Sequence, residues 1–281
     1  MSESNTVLTT RSTTGITTVT INRPRLRNAV DSPTARKLYD ALRAFDADET
    51  QEVCILTGAD GAFCAGFDLH TVSQSPLPAE PVGESPSIAP MGPSRLRLSK
   101  PLIAAVEGHA VAGGLELALL ADMRICSETA VFGVFCRRWG VPLIDGGTVR
   151  LPHIVGFWRA MDMILTGRAV DAQEALAMGL VNRVVPEDEA LAKAIELAEE
   201  LLRWPQKCLR ADRESAYYAA FDAGTFQKAM QNEFVEGSKV VQAESVHGAA
   251  RFSGGAARSA GVWQTLDVSQ RQCVIIMFRS Q

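Results

Sequence analysis

No stretch of this sequence approaches the roughly 18 consecutive apolar residues that a membrane-crossing helix needs. The N-terminus, MSESNTVLTTRSTTG, has no apolar run behind a basic start, so no secretory signal is expected. The six cysteines (54, 64, 126, 136, 208 and 273) show no CxxC pair and no metal-ligand spacing. They are expected to be reduced thiols in a cytoplasmic protein without a metal site. Basic residues are not in excess. The net charge of −4 gives no reason to expect nucleic acid or a membrane surface as a partner. No GxGxxG follows a strand and no acidic residue is placed as a ribose partner, which argues against a dinucleotide site. No repeat of fixed spacing is evident. What is present is a chain of 281 residues, 47% hydrophobic, long enough for one large domain or a core with an appendage.

The chain is organised around PLIAAVEGHAVAGGLELALLAD, residues 101–122. Residues 102–106 form a short, continuously apolar run that suits a buried strand. After a turn at Glu107-Gly108-His109 come Gly113 and Gly114, with the helix formers Leu115–Leu120 behind them. Adjacent glycines let a ligand approach the backbone closely, and the first N–H groups of a helix lack internal partners. Those donors suit a developing negative charge, and Glu116 sits beside them. Equally, Glu116 can simply complement the helix dipole while the glycines allow tight packing.

Along the chain, residues 5–21 alternate and read as a hairpin with its second strand over Ile16–Ile21. Arg23, Arg25 and Arg27 crowd the turn that follows, as a polyphosphate site or as solvated surface charge. Asp31-Ser32-Pro33 starts a helix running to Asp48. Val53–Leu56 reads as a buried strand. AFCAGFDL at 62–69 is a small-residue segment opening into a helix. Residues 73–94 are rich in proline and serine and read as a long mobile loop, either a pocket cover or disordered. Strands are expected at 122–126, 130–133 and 180–184, and helices at 148–155, 157–165, 167–179 (starting near the cap candidate Asp171) and 188–202. The resulting organisation is a core over 1–205, a helical region over 206–261 and a tail over 262–281.

Four segments, NRPRLRNA at 22–29, AFCAGFDL at 62–69, GHAVAGGLELALLAD at 108–122 and FGVFCRRWGVPLIDGGTVRLP at 132–152, resemble the crotonase superfamily, the enoyl-CoA hydratase/isomerase family, in its order and spacing. The resemblance covers about residues 5–258. It implies an α/β fold: a spiral of ββα units followed by a C-terminal helical region that makes trimers, often paired into hexamers. It implies an acyl-CoA thioester as substrate, with coenzyme A part of the substrate and no separate cofactor. The main-chain N–H groups of Phe67 and Gly113 match the family's oxyanion hole. Arg25, Leu26 and Arg27, with Ala65, Gly66, Asp68 and Leu69, match its coenzyme A-binding positions.

Family hydratases use two glutamates sharing a water. Glu116 matches the first. The second falls on Cys136, a thiol with a reference pKa of about 8.5 that cannot replace a carboxylate in that role. Asp145 is the nearest substitute, as a second carboxylate opposite Glu116. Alternatively it caps the next helix through Gly147 and Thr148. Arg137 and Arg138 read as surface or interface charges, Trp139 as pocket wall or subunit packing, and His109, His153 and His247 as residues without a chemical role. The expected activity is enoyl-CoA hydration with Glu116 as base. The alternatives are an enoyl-CoA isomerase or an acyl-CoA-binding protein that has lost chemistry.

Overall fold

A computed structural model of the chain describes residues 5–74, 82 and 87–253, so the tail over 262–281 and half of the loop over 73–94 lie outside the described residues. The chain divides into two units, Met1–Gln206 and Lys207–Gln281. In the first, strands β1 (Val7–Arg11), β2 (Ile16–Ile21), β3 (Val53–Gly58), β4 (Leu102–Val106), β6 (Met123–Ser127) and β9 (Arg183–Val185) form one sheet in that order. Strands β5 (His109–Val111), β7 (Val131–Gly133) and β8 (Ala169–Asp171) form a second. The β1–β2 pair is an antiparallel hairpin, and every later pairing in the larger sheet is parallel. Successive strands β4, β5, β6 and β7 alternate between the two sheets, so the chain winds as a spiral, and helix α3 (Gly113–Leu120) leaves directly from β5.

The apolar runs explain why the larger sheet is central. In β3 and β4, Cys54, Leu56, Leu102, Ala104 and Val106 face the main core, while Val53, Ile55, Ile103 and Ala105 face a second cluster. Helix α7 (Ala190–Leu202) covers that second face with Ala190, Ala194, Leu197 and Ala198. A strand buried on both faces needs no polar alternation, hence sequences such as VCIL and LIAAV. Helix α1 (Ser32–Ala47) is capped by Asp31, whose side chain accepts from the Thr34 N–H at 2.9 Å. It buries Ala35, Leu38, Leu42 and Phe45 at helical spacing.

Several expectations shift. Residues 169–171 are a strand, so α6 (Ala172–Ala177) is shorter than 167–179, while Asp171 does cap it, accepting from the Glu174 N–H at 2.8 Å. His109 belongs to β5 rather than to a turn. Ser73 and Gln74 end helix α2 (Leu69–Gln74). The far end of the expected loop is buried: Ala89 and Gly92 exchange main-chain hydrogen bonds in a tight turn, and Pro93–Arg95 is a 3-10 turn. Helices α4 (Gly147–Val155) and α5 (Phe157–Thr166) follow the second sheet's β7. The second unit holds α8 (Gln206–Phe221, whose first residue is the last of unit one), α9 (Phe226–Val240) and α10 (Val246–Arg251), with no strand among its described residues. No helix among the described residues is long and apolar enough to cross a membrane.

Candidate active site

The segment Cys64–Asp68 runs between two neighbours. On one side it bonds to β5, Cys64 N–H to the His109 carbonyl at 2.8 Å and Val111 N–H to the Cys64 carbonyl at 3.1 Å. On the other, Val30 N–H donates to the Gly66 carbonyl and Asp68 N–H to the Val30 carbonyl, both at 2.8 Å. That bridge uses the polar groups flanking Phe67, so the Phe67 N–H turns away from Val30. It has no acceptor among the described residues. Gly66 (φ 99°) makes the arrangement possible: a Cβ there would lie 2.9 Å from the Ala112 Cβ and 3.0 Å from the Gly113 nitrogen.

Gly113 opens α3, and its N–H also has no acceptor among the described residues. Ala112 turns the chain into the helix with φ 54° and ψ −126°, a conformation that costs a non-glycine residue about 1–3 kcal/mol. Gly114 is required for packing, since a Cβ there would lie 2.0 Å from the Cys64 carbonyl oxygen. The two glycines therefore have different duties: the second allows close packing and the first presents its amide.

Phe67 and Gly113 line a cavity of about 200 Å³ whose walls are largely apolar, with Met91, Phe135, Trp139 and Ile144 among them. Glu116, Cys136 and Asp145 are its ionisable side chains. Glu116 is 3% exposed. Its Oε1 accepts from Asp145 N–H at 2.9 Å and from Gly147 N–H at 2.8 Å. Its Oε2 has no partner among the described residues. Burial and the charge of Asp145 push the Glu116 carboxyl up to about 7, against the pull of the two amides and Arg150.

Asp145 is equally buried but does not cap a helix. The N-cap of α4 is Gly146, without a side-chain cap, because Glu116 takes the Gly147 N–H that a capping Asp145 would have used. Asp145 Oδ1 instead accepts from Met91 N–H at 2.9 Å and from the Ser94 hydroxyl. Burial raises its carboxyl above the usual range, opposed by those donors and by Arg95 and Arg150. Cys136 lies in the 3-10 turn Phe135–Trp139, and burial followed by the charge of Glu116 raises its thiol.

The arginine turn splits. Arg23 is committed to Asp31 (2.8 Å), Asp68 (3.3 Å) and the Ala29 carbonyl. Arg25, Leu26 and Arg27 are exposed, and Ala65 N–H donates to the Arg27 carbonyl at 3.0 Å, which brings this turn beside the cavity's Ala65 and Leu69. Asn28, which sequence reasoning passed over, fixes the turn: it accepts from Arg23 N–H and donates to the Ala59 and Ala62 carbonyls. Arg137 and Arg138 reach back to the Ile164 and Gly167 carbonyls and do not line the cavity. Among the described residues no three His, Cys, Asp or Glu side chains converge as a metal ion would need.

The enoyl-CoA hydratase/isomerase family model matches residues 11–253. The chain belongs to the enoyl-CoA hydratase/isomerase family. The chain is 43% identical over 190 residues to the enoyl-CoA hydratase EchA19 of Mycobacterium tuberculosis, covering 65% of this chain and 70% of that protein. It is 36% identical over 214 residues to the 2,3-dehydroadipyl-CoA hydratase of Escherichia coli, covering 75% and 82%. The crystal structure of an enoyl-CoA hydratase from Mycobacterium tuberculosis superposes with a TM-score of 0.81 at 32% identity, covering 89% of this chain and 96% of that one. The cavity described above holds Glu116, Cys136 and Asp145 within this family fold.

Proposed function

We propose that this family member hydrates 2-enoyl-CoA thioesters. The Phe67 and Gly113 N–H groups hold the thioester oxygen. Glu116 Oε2 takes a proton from water as the water oxygen bonds to C3. The π electrons move through C2 to the thioester oxygen, giving an enolate between the two amides. Protonated Glu116 then returns the proton to C2, so water adds with no net redox change and no cofactor. Each amide contributes about 3–4 kcal/mol to holding the oxyanion in a dry site. A base with a pKa near the working pH can both accept and return the proton. Arg25 and Arg27, exposed beside the cavity mouth, carry the charge that would meet the coenzyme's phosphates, with Leu26, Ala65, Gly66, Asp68 and Leu69 shaping the cradle for its adenine end.

One observation carries this reading: Glu116 is anchored through Oε1 alone, and it shares a cavity with Phe67 and Gly113, whose N–H groups have no acceptor among the described residues. The test is incubation of the purified protein with a panel of 2-enoyl-CoAs and mass analysis of the products. A gain of one water supports the proposal; no conversion of any of them refutes it. Cys136 favours a second reading, since one carboxylate is missing from the pair. On that reading the protein moves a double bond, with no mass change, or binds acyl-CoA without turnover, which calorimetry would detect. We also propose a homotrimer or hexamer, supported by apolar side chains such as Phe226 and Phe234 exposed on α9, and a cytoplasmic location, supported by unpaired thiols at five described cysteines.

A further inference from the structure

Asp145 has a second attachment that the proposed hydration does not use. Its Oδ1 accepts from Met91 N–H at 2.9 Å and from the Ser94 hydroxyl, two donors on one short segment 51 and 54 residues earlier in the chain. That segment is a built element. Ala89 and Gly92 close a tight turn with Pro90 and Met91 at its tip. Arg150 binds the Ser94 carbonyl at 2.6 Å and the Asp145 carbonyl at 3.3 Å, tying the same segment to the start of α4. The tip presses on the oxyanion region: a Cβ on Gly113 would lie 2.6 Å from the Met91 Sδ. Met91 thus packs against Gly113, and both line the cavity that contains Glu116. The other attachment of Asp145, its main-chain N–H on Glu116 Oε1, leaves its side chain free for this task.

We propose that Asp145 is a positioning residue that holds Met91 over Gly113, so that the pocket selects 2-enoyl-CoAs without a substituent at the α-carbon. This rests on the hydratase reading for its kinetic readout but not for its binding readout. Crotonyl-CoA and 2-methylcrotonyl-CoA differ only by an α-methyl group. Their ratio of kcat/KM therefore reports the room under Met91.

In Asp145→Ala the ratio moves about tenfold toward the methylated substrate, the scale of two lost hydrogen bonds to a buried acceptor. Met91→Ala moves it the same way, and the double variant adds less than about twofold, because both changes act through one wall. Asp145→Asn keeps an acceptor for both donors and leaves the ratio within about 1.5-fold of the parent. Ser94→Ala removes one donor and shifts the ratio by about threefold, which tests the latch even if Asp145→Ala does not fold. The inference is overturned by an unchanged ratio in Asp145→Ala with kcat reduced on both substrates, as loss of a proton carrier would give. An additive double variant, or a parental ratio in Ser94→Ala, overturns it as well. The same comparison can be made on the Kd values of butyryl-CoA and 2-methylbutyryl-CoA. A protein that binds these but hydrates nothing would refute the hydratase reading while leaving the latch open to the same test.

Discussion

Replacing Glu116 with glutamine separates what this carboxyl does for the reaction from what it does to the fold. Glutamine keeps an oxygen for the Asp145 and Gly147 amides, so the loop geometry should survive. It cannot take a proton from water. Hydration of crotonyl-CoA is expected to fall by about 10³-fold in kcat, within the range for losing a positioned acid/base group. Stability should move the other way. The carboxyl is raised from 4.5 to about 7, so between those values the folded state holds a proton that the unfolded chain has released. Stability of the parent protein therefore falls as pH rises through that window and levels off above it. The ionised group costs the folded state on the order of 3 kcal/mol above pH 7. Glutamine carries no such cost. Melting curves of the two proteins should nearly coincide at pH 4.5 and separate by several degrees at pH 8, with the variant higher. A variant that melts below the parent at pH 8, or that separates from it equally at both pH values, would refute the account of Glu116 as a carboxyl destabilised by burial.

Three further outcomes follow from the same geometry. The acid limb of kcat/KM for hydration should have its midpoint near 7, and Asp145→Asn should shift it to lower pH because a neighbouring negative charge is gone; stopped-flow rates across pH 5–9 check both. Cys136→Glu adds a carboxylate to the cavity that holds Glu116 and should raise crotonyl-CoA hydration by about tenfold or more, read directly by kcat. Gly66→Ala forces a side chain into the Ala112–Gly113 backbone at a φ of 99° and should lower kcat by about 10²-fold through the displaced amide, with a lower melting temperature in the same sample.

The elements that apolar patterning can mark were legible from the residues alone. The strand at 16–21 is marked by alternation, that at 102–106 by a continuous apolar run and the helix behind Asp31 by a cap, and these signals act over a few neighbouring residues. Strands β5 and β8 were not legible, because three residues are too few to show a period, and HAV and AVD sit against turn or helix signals. The same limit of range divides the site. Gly113 and Glu116 fall within one helical turn, so their association is visible locally. The partners of Asp145 are not, since Met91 and Ser94 lie at the end of a proline-rich stretch that carries no periodic signal. The choice between a capping and a pocket role for Asp145 depended on whether another side chain reached Gly147 first. Glu116 did, from 31 residues away.

That competition also decides the chemistry left to the site. Two main-chain donors on one carboxylate oxygen, at the N-terminus of α4, should by themselves pull the Glu116 pKa below the ordinary value. The pKa goes up instead, so burial and the Asp145 charge outweigh both donors. The amides therefore serve to orient the carboxyl and not to keep it ionised. In the proposed hydration the Asp145 side chain is engaged by Met91 and Ser94, so Glu116 accepts and releases the proton within each turnover. Held at about 7, Glu116 can do both at similar energetic cost, whereas a carboxyl at its ordinary value would be a weak base toward water and slow to take up the proton that C2 requires. The apolar walls of the cavity are thus what would let the Glu116 carboxyl both take up and release a proton in the proposed hydration.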